Sequence, residues 1–181
     1  MSFEELEKES LFTLDMDFEE MLEIPEGAER LPLNNLDEGE LFKGKPQMSG
    51  IITSTFEDEY QFDDNGKPLT KTVHKLRLII VNEDPLEYVD INLNLKKPDY
   101  NVDTIRKGSV LFDFIQSILE IENPGCTQGK NVFRNVNLKQ FVDFTNNLKI
   151  MGIKVITRSF GSRPFNSFYV NQVNGMVNEK I

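Results

Sequence analysis

Between Met48 and Val173 the spacing of apolar residues switches from a strand period to a helical one and back, and the switches mark the elements. Met48 to Phe62 is rich in Ile, Thr, Phe and Tyr, Asp64-Asn65-Gly66 is a hairpin-turn triplet, and the strand pattern resumes from Thr72 to Asn82. In that return strand Leu76, Leu78 and Ile80 share a face with His74, and Val73, Lys75, Arg77, Ile79 and Val81 share the other. The first set is expected to face the core. A third strand, Tyr88 to Leu95, alternates cleanly, with Val89, Ile91, Leu93 and Leu95 inward and Tyr88, Asp90, Asn92 and Asn94 outward. Two helical patterns come next. Ser109 caps a stripe of Val110, Leu111, Phe114, Ile115, Ile118 and Leu119 that ends at Asn123-Pro124-Gly125, and Asn137 caps Leu138, Phe141, Val142, Thr145 and Leu148. Each helix has one apolar side. The strand period returns in Ile153 to Arg158, a loop spans Ser159 to Pro164, Phe165 to Val173 forms the last strand, and residues 174–181 read as a frayed end.

Three strands, a helical excursion and two more strands predict a mainly β chain with helices (α+β). The specific expectation is an OB-like five-stranded, partly open barrel with its helical insertion between strands 3 and 4. An α+β sheet with both helices on one face fits the same order of elements. Ahead of this body, residues 1–40 lack any sustained period. Phe3, Leu6, Leu11, Phe12, Leu14, Met16, Phe18, Met21, Leu22 and Ile24 are interleaved with carboxylates, and Pro25, Gly27, Pro32, Asn34, Asn35 and Gly39 punctuate the stretch from 25 to 40. The expected division is an acidic, disordered arm and linker over 1–40 and an OB-like domain over 41–181. Alternating acids and hydrophobes are typical of segments that fold onto a partner, so Phe12, Leu14, Phe18, Met21 and Leu22 are candidate partner-binding residues.

Charge sharpens that division. The net charge of −10 over 181 residues is unevenly held. Residues 1–40 carry 14 of the 30 acids with only Lys8 and Arg30 as bases, a net −12, so the remainder is +2. From Lys96 onward 12 bases face 7 acids. A polyanion would repel the arm and tolerate the body. Cys126 is the only cysteine, which excludes an internal disulfide and fits a reducing compartment. The opening MSFEELEKES lacks a basic region followed by an apolar run, and no apolar stretch approaches a membrane span, so a cytoplasmic protein without membrane contact is expected.

Catalytic and metal motifs do not assemble. Gly125-Cys126-Thr127-Gln128-Gly129-Lys130-Asn131 superficially matches a phosphate-binding loop, but its glycines are one residue too close, Asn131 stands where Ser or Thr is needed, and it follows a helix. Asp63-Asp64-Asn65-Gly66 lacks the acids that a calcium loop needs at Gln61 and Thr72, and a turn accounts for all four residues. One histidine, His74, and one cysteine make no zinc site of the usual kind. The paired acids Glu120 and Glu122 are two apart on a helix and do not face each other. No cofactor and no catalytic residue is indicated, although an enzyme built on carboxylates distant in sequence stays open.

Basic and aromatic side chains offer more. Lys75, Arg77 and Tyr88 fall on the outward face of the middle strands with Asn92 and Asn94, and Lys154, Arg158 and Tyr169 on the last two strands. The loop between those strands holds Phe160, Arg163 and Phe165 around Gly161-Ser162. Cations along a groove with aromatic faces for stacking are what single-strand binding requires. Over residues 41–173, in its order of elements and in that one loop, the chain resembles OB-type single-stranded DNA-binding proteins of phage or archaeal replication. The resemblance implies non-enzymatic binding of single-stranded nucleic acid, with Lys75, Arg77, Tyr88, Lys154, Arg158, Phe160, Arg163 and Tyr169 as the site. It also implies an acidic tail that recruits a protein partner or competes for the groove, here at the N-terminus rather than the C-terminus. Two other classes fit the same sequence: a viral or phage structural or assembly protein whose acidic arm docks a neighbouring subunit, and an inhibitor whose arm imitates nucleic-acid charge.

Overall fold

In the computed structural model, residues 22–178 are described. The longest strand organises the rest. β4 (Pro68–Glu83) carries Leu76, Leu78 and Ile80 into the main core, as its alternation predicts, while Ile79 and Val81 are buried on its other face. One of its edges pairs with β5 (Leu86–Leu95) from His74↔Leu95 to Glu83↔Leu86. Its other edge is shared. β3 (Ile52–Phe62) takes the first half, and β2 (Leu41–Met48) takes Leu78 to Val81 in the second. The hairpin between β3 and β4 turns where Asp63 Oδ1 accepts the Asn65 and Lys67 amides and Gly66 takes a positive φ of 77°.

β2 then changes partner. Its opening residues pair with β8 (Met151–Phe160), Leu41↔Lys154 to Gly44↔Met151, before the strand crosses to β4. At the crossing a Cβ on Gly44 would lie 2.1 Å from the Val81 carbonyl oxygen, so no side chain fits there. β9 (Arg163–Val173) pairs antiparallel with β8, and β10 (Met176–Val177) with β9, so the stretch expected to fray adds a short edge strand. The expected loop over Ser159–Pro164 is tight, since β8 runs to Phe160 and β9 starts at Arg163, with Gly161 at φ 62°. At the far edge β1 (Glu29–Arg30) pairs parallel with β5.

This is an open, mixed eight-stranded sheet in the order β1-β5-β4-β2-β8-β9-β10, with β3 also on β4, and the OB-like five-stranded barrel is not what forms. Among the described residues the chain is mostly β with two short α-helices, and a separate two-stranded sheet joins β6 (Asn101–Arg106) to β7 (Val132–Asn137). The reason the sheet stays open lies in α1 (Val110–Glu122). Its Ser117 hydroxyl accepts the Val170 amide at 2.9 Å and its Asp113 carboxylate accepts the Ser167 hydroxyl at 3.0 Å, so a helix lies along β9 where a closing strand would have to pair. Ser109 caps α1 as expected, its oxygen accepting the Phe112 amide. The helix is buried on more than its predicted stripe, because Phe112 stacks on Phe133 of β7 at 4.6 Å. α2 (Leu138–Asn146), capped by Asn137, closes the remaining side through Leu138 and Val142.

Residues 22–40, read from sequence as the end of the arm and a linker, are packed rather than free. Leu22 is buried against Ile79 and Val81, with Leu86 and Tyr88 around it. The Glu23 backbone exchanges two hydrogen bonds with the Gln47 amide, the Leu31 amide donates to the Tyr88 carbonyl, and Asn166 Nδ2 donates to the carbonyls of Leu33 and Leu36. Phe12, Leu14, Phe18 and Met21 lie outside the described residues. No helix among the described residues is long and apolar enough to cross a membrane.

Candidate nucleic-acid interface

Strand alternation places the candidate residues of β4, β5, β8 and β9 on the face opposite the core, but that face is not an open groove. Arg77 forms a two-pronged ion pair with Asp90 on β5, Nε to Oδ1 at 2.9 Å and Nη2 to Oδ2 at 2.6 Å. A planar guanidinium matched to a carboxylate is poorly placed to neutralise a phosphate as well. Tyr88 packs on the Leu22 cluster, and Lys75 is half-buried, facing Ile52 and Asn94 across the ladders.

Arg158 and Tyr169 are brought together, and Lys154 pairs directly across from Tyr169. The Arg158 guanidinium hydrogen-bonds the Tyr169 hydroxyl, lies 5.2 Å from that ring's centroid, and donates to both oxygens of Asp113 at 3.2 and 3.1 Å. Asp113 is buried. Burial alone would lower the Arg158 pKa, but the hydrogen bonds and charge of Asp113 outweigh it and hold the guanidinium above its ordinary value. Burial and the Asp113 charge push the Tyr169 phenol up from 10.0, against a smaller pull from Arg158. The cluster ties α1 to the β8–β9 hairpin, and its arginine already has an anion.

The remaining two candidates stand apart. Phe160 and Arg163 face each other at the tip of the β8–β9 hairpin, both exposed, with 82% of Phe160 open to solvent. Phe160 overhangs a cleft of about 310 Å³ whose other wall includes Lys96, Arg106, Lys107 and Ser109. A second cleft of about 190 Å³ shares Lys96 and Arg106 and adds Lys97, Asn101 and Asp103. Lys96, Lys97, Arg106 and Lys107 are all exposed and none is in an ion pair among the described residues. Four such cations against the single Asp103 give this end of the sheet the positive field that the opposite face lacks.

None of those four bases is among the residues singled out from sequence. The available signal was two dipeptides, Lys96-Lys97 and Arg106-Lys107, at either end of a short segment with no clear period. That segment is β6 and the turn before it, and it brings Lys96 and Arg106 to both clefts, with Lys107 on the first and Lys97 on the second. The Gly125–Asn131 loop is also explained. Glu120 accepts the amides of Gly125 and Thr127 and the Thr127 hydroxyl, so those donors already serve a carboxylate. His74 Nδ1 lies 2.9 Å from the Thr53 hydroxyl on β3. Comparison with protein-family models, curated proteins and solved structures gave no match.

Proposed function

We propose that the protein binds single-stranded nucleic acid non-enzymatically, its backbone running past Lys96, Lys97, Arg106 and Lys107 and one base stacking on Phe160. The observation that carries this reading is the conjunction of an 82% exposed phenylalanine with four exposed bases in no ion pair among the described residues. An exposed large aromatic at a tight hairpin tip is costly to keep in water, and a π-face beside cations is the arrangement that recognises bases without reading their sequence. Arg163 across from Phe160 extends the positive rim. A cytoplasmic location fits the lone cysteine Cys126, which is exposed.

Anisotropy of labelled single-stranded oligonucleotides, titrated with the full chain at two salt concentrations, tests the proposal. Binding that weakens steeply with salt is expected. No measurable affinity at about 50 mM salt, where such contacts are strong, ends it.

A second reading, as a structural or assembly component, draws on the β3–β4 hairpin. Beyond His74 and Leu95 it leaves the sheet as two strands, exposing Phe56, Tyr60, Phe62 and Leu69 among Glu57, Asp58, Glu59, Asp63 and Asp64. Those acids repel phosphate and suit a protein neighbour. A large fixed oligomer without salt-sensitive nucleic-acid binding would favour this reading over the first.

A further inference from the structure

The two-stranded ribbon of β6 and β7 turns one face to the core and the other outward. Ile105 and Phe133, paired across it, are both buried, so the residues one step away on each strand take the outer face. These are Val102, Thr104 and Arg106 on β6 and, in register with them, Val136, Arg134 and Val132 on β7. Arg106 pairs with Val132 and Thr104 with Arg134, which makes the two arginines diagonal neighbours about 7–8 Å apart on that face. Both are exposed.

Each strand of the ribbon borders a different hollow. Val102, Thr104 and Arg106 of β6 belong to the Phe160 cleft. Val132, Arg134 and Val136 of β7 belong to a trough of about 350 Å³ that Lys130, Leu119 of α1 and Phe141 of α2 complete. None of the residues lining the trough is acidic, and Lys130 and Arg134 are exposed and in no ion pair among the described residues. The spacing of paired strands, about 4.8 Å, is all that separates the β6 border from the β7 border. The Lys107 amide donates to the Asn131 carbonyl at 2.9 Å, so Lys107 of the first hollow and Lys130 of the second flank the same end of the ribbon. The trough's floor is preformed, because α2 is fastened at its last residue. The Asn146 side chain accepts from the Met48 amide of β2 at 2.7 Å and donates to the Met48 carbonyl at 3.0 Å.

We infer that a single strand held at Phe160 continues over the outer face of the β6–β7 ribbon into this trough, its phosphates passing from Arg106 to Arg134 and Lys130 and a second base resting on the apolar floor at Val136 and Phe141. The extended path rests on single-strand binding at the Phe160 cleft. It makes the trough a second stretch of one site, since cations draw the backbone and the half-buried apolar floor beside them takes the face of a base. A strand long enough to reach both hollows makes the second contact while tethered by the first, so affinity rises with length. A strand that fills only the Phe160 cleft does not feel Lys130 or Arg134.

Labelled oligothymidylates of about 4 and about 12 nucleotides, within the range of single-strand site sizes, titrated by anisotropy with the full chain and with a Lys130→Ala, Arg134→Ala double variant, test this. On the longer strand the double variant should bind about tenfold more weakly, the size of two exposed ion pairs. Its salt dependence there should flatten by about 1.4 units, about 0.7 for each phosphate contact on a single strand. On the shorter strand both readouts should match the parent, and that match shows that the variant is folded. Parent-like binding of the longer strand by the variant overturns the crossing while leaving the Phe160 cleft in place. An equal loss on both lengths overturns it too, because the two cations would then act as a general field and not as a stretch reached by longer strands alone. A parent chain that binds neither length removes single-strand binding and the extended path together.

Discussion

The two hairpins that leave the sheet differ in how they are held and in what they display. The β8–β9 hairpin is locked from the side by α1, through Asp113 to Arg158 and Ser167 and through Ser117 to Val170, and shows one phenylalanine among cations. The outer part of the β3–β4 hairpin has no described helix against it and shows several aromatics among acids, with Lys71 paired to Asp58 at 2.7 Å. Exposed aromatics alone would make both hairpins stacking platforms. Charge separates them: bases beside Phe160 invite a phosphate backbone, and acids beside Tyr60 exclude one.

Replacing Asp113 by Ala should do the most to erase the difference. It leaves Arg158 and Ser167 without their shared acceptor and should cost about 2–3 kcal/mol of unfolding free energy, less than a fully buried pair because Arg158 reaches solvent. Urea denaturation measures it, and Asp58→Ala, its counterpart on the other hairpin, should leave the midpoint in place. An Asp113→Ala protein as stable as the parent would mean that the helix does not secure the β8–β9 hairpin. At the tip, Phe160→Ala should weaken single-strand binding by about 1–3 kcal/mol with an unchanged salt slope and unchanged stability. Tyr60→Ala, on the acidic hairpin, should not alter affinity, and equal losses in the two variants would break the charge argument.

Smaller effects are expected at the cations. Lys96→Ala, Arg106→Ala and Lys107→Ala should each flatten the salt dependence of binding by just under one unit, uniformly across sequences. Arg77→Ala should leave that slope alone, since Asp90 already holds its guanidinium, and a flattened slope there would return the interface to the opposite face. The least effect at neutral pH concerns Tyr169. Because folding raises its pKa, the stability it supplies is complete below about pH 10 and is lost as pH rises through the folded value. In an ultraviolet titration Tyr169 should ionise above the ordinary tyrosine value of 10.0, and Tyr169→Phe should remove that late step.

Local pattern accounts for the elements whose stabilising partners are nearby. Alternation located β4 and β5 because each presents a continuous row to the core, and the caps Ser109 and Asn137 marked both helix starts. β1, β6, β7 and β10 were not legible, since each is short and owes its existence to a partner strand distant in the chain or to a turn that sequence alone reads as fraying. That the sheet stays open was not legible either, because it depends on Asp113 and Ser117, two small polar residues beside the apolar stripe whose partners on β8 and β9 are 45 to 54 positions away. The site shows the same limit. The loop singled out Phe160 but not whether its ring packs against the body or lies open, and Arg77 and Arg158 looked free in sequence only because Asp90 and Asp113 could not be seen beside them.

Asn146 has a consequence for solubility. Where β8 parts from β2, the next stretch of β2 would present bare amides and carbonyls, the template on which foreign strands add and aggregates grow. A single carboxamide, offering an acceptor to the Met48 amide and a donor to its carbonyl, imitates one rung of a missing neighbour and stops the ladder there. A side chain thus covers the free edge of β2 at its last residue, and conversion of that amide to an acid would remove the donor and turn a finished border into an unfinished one.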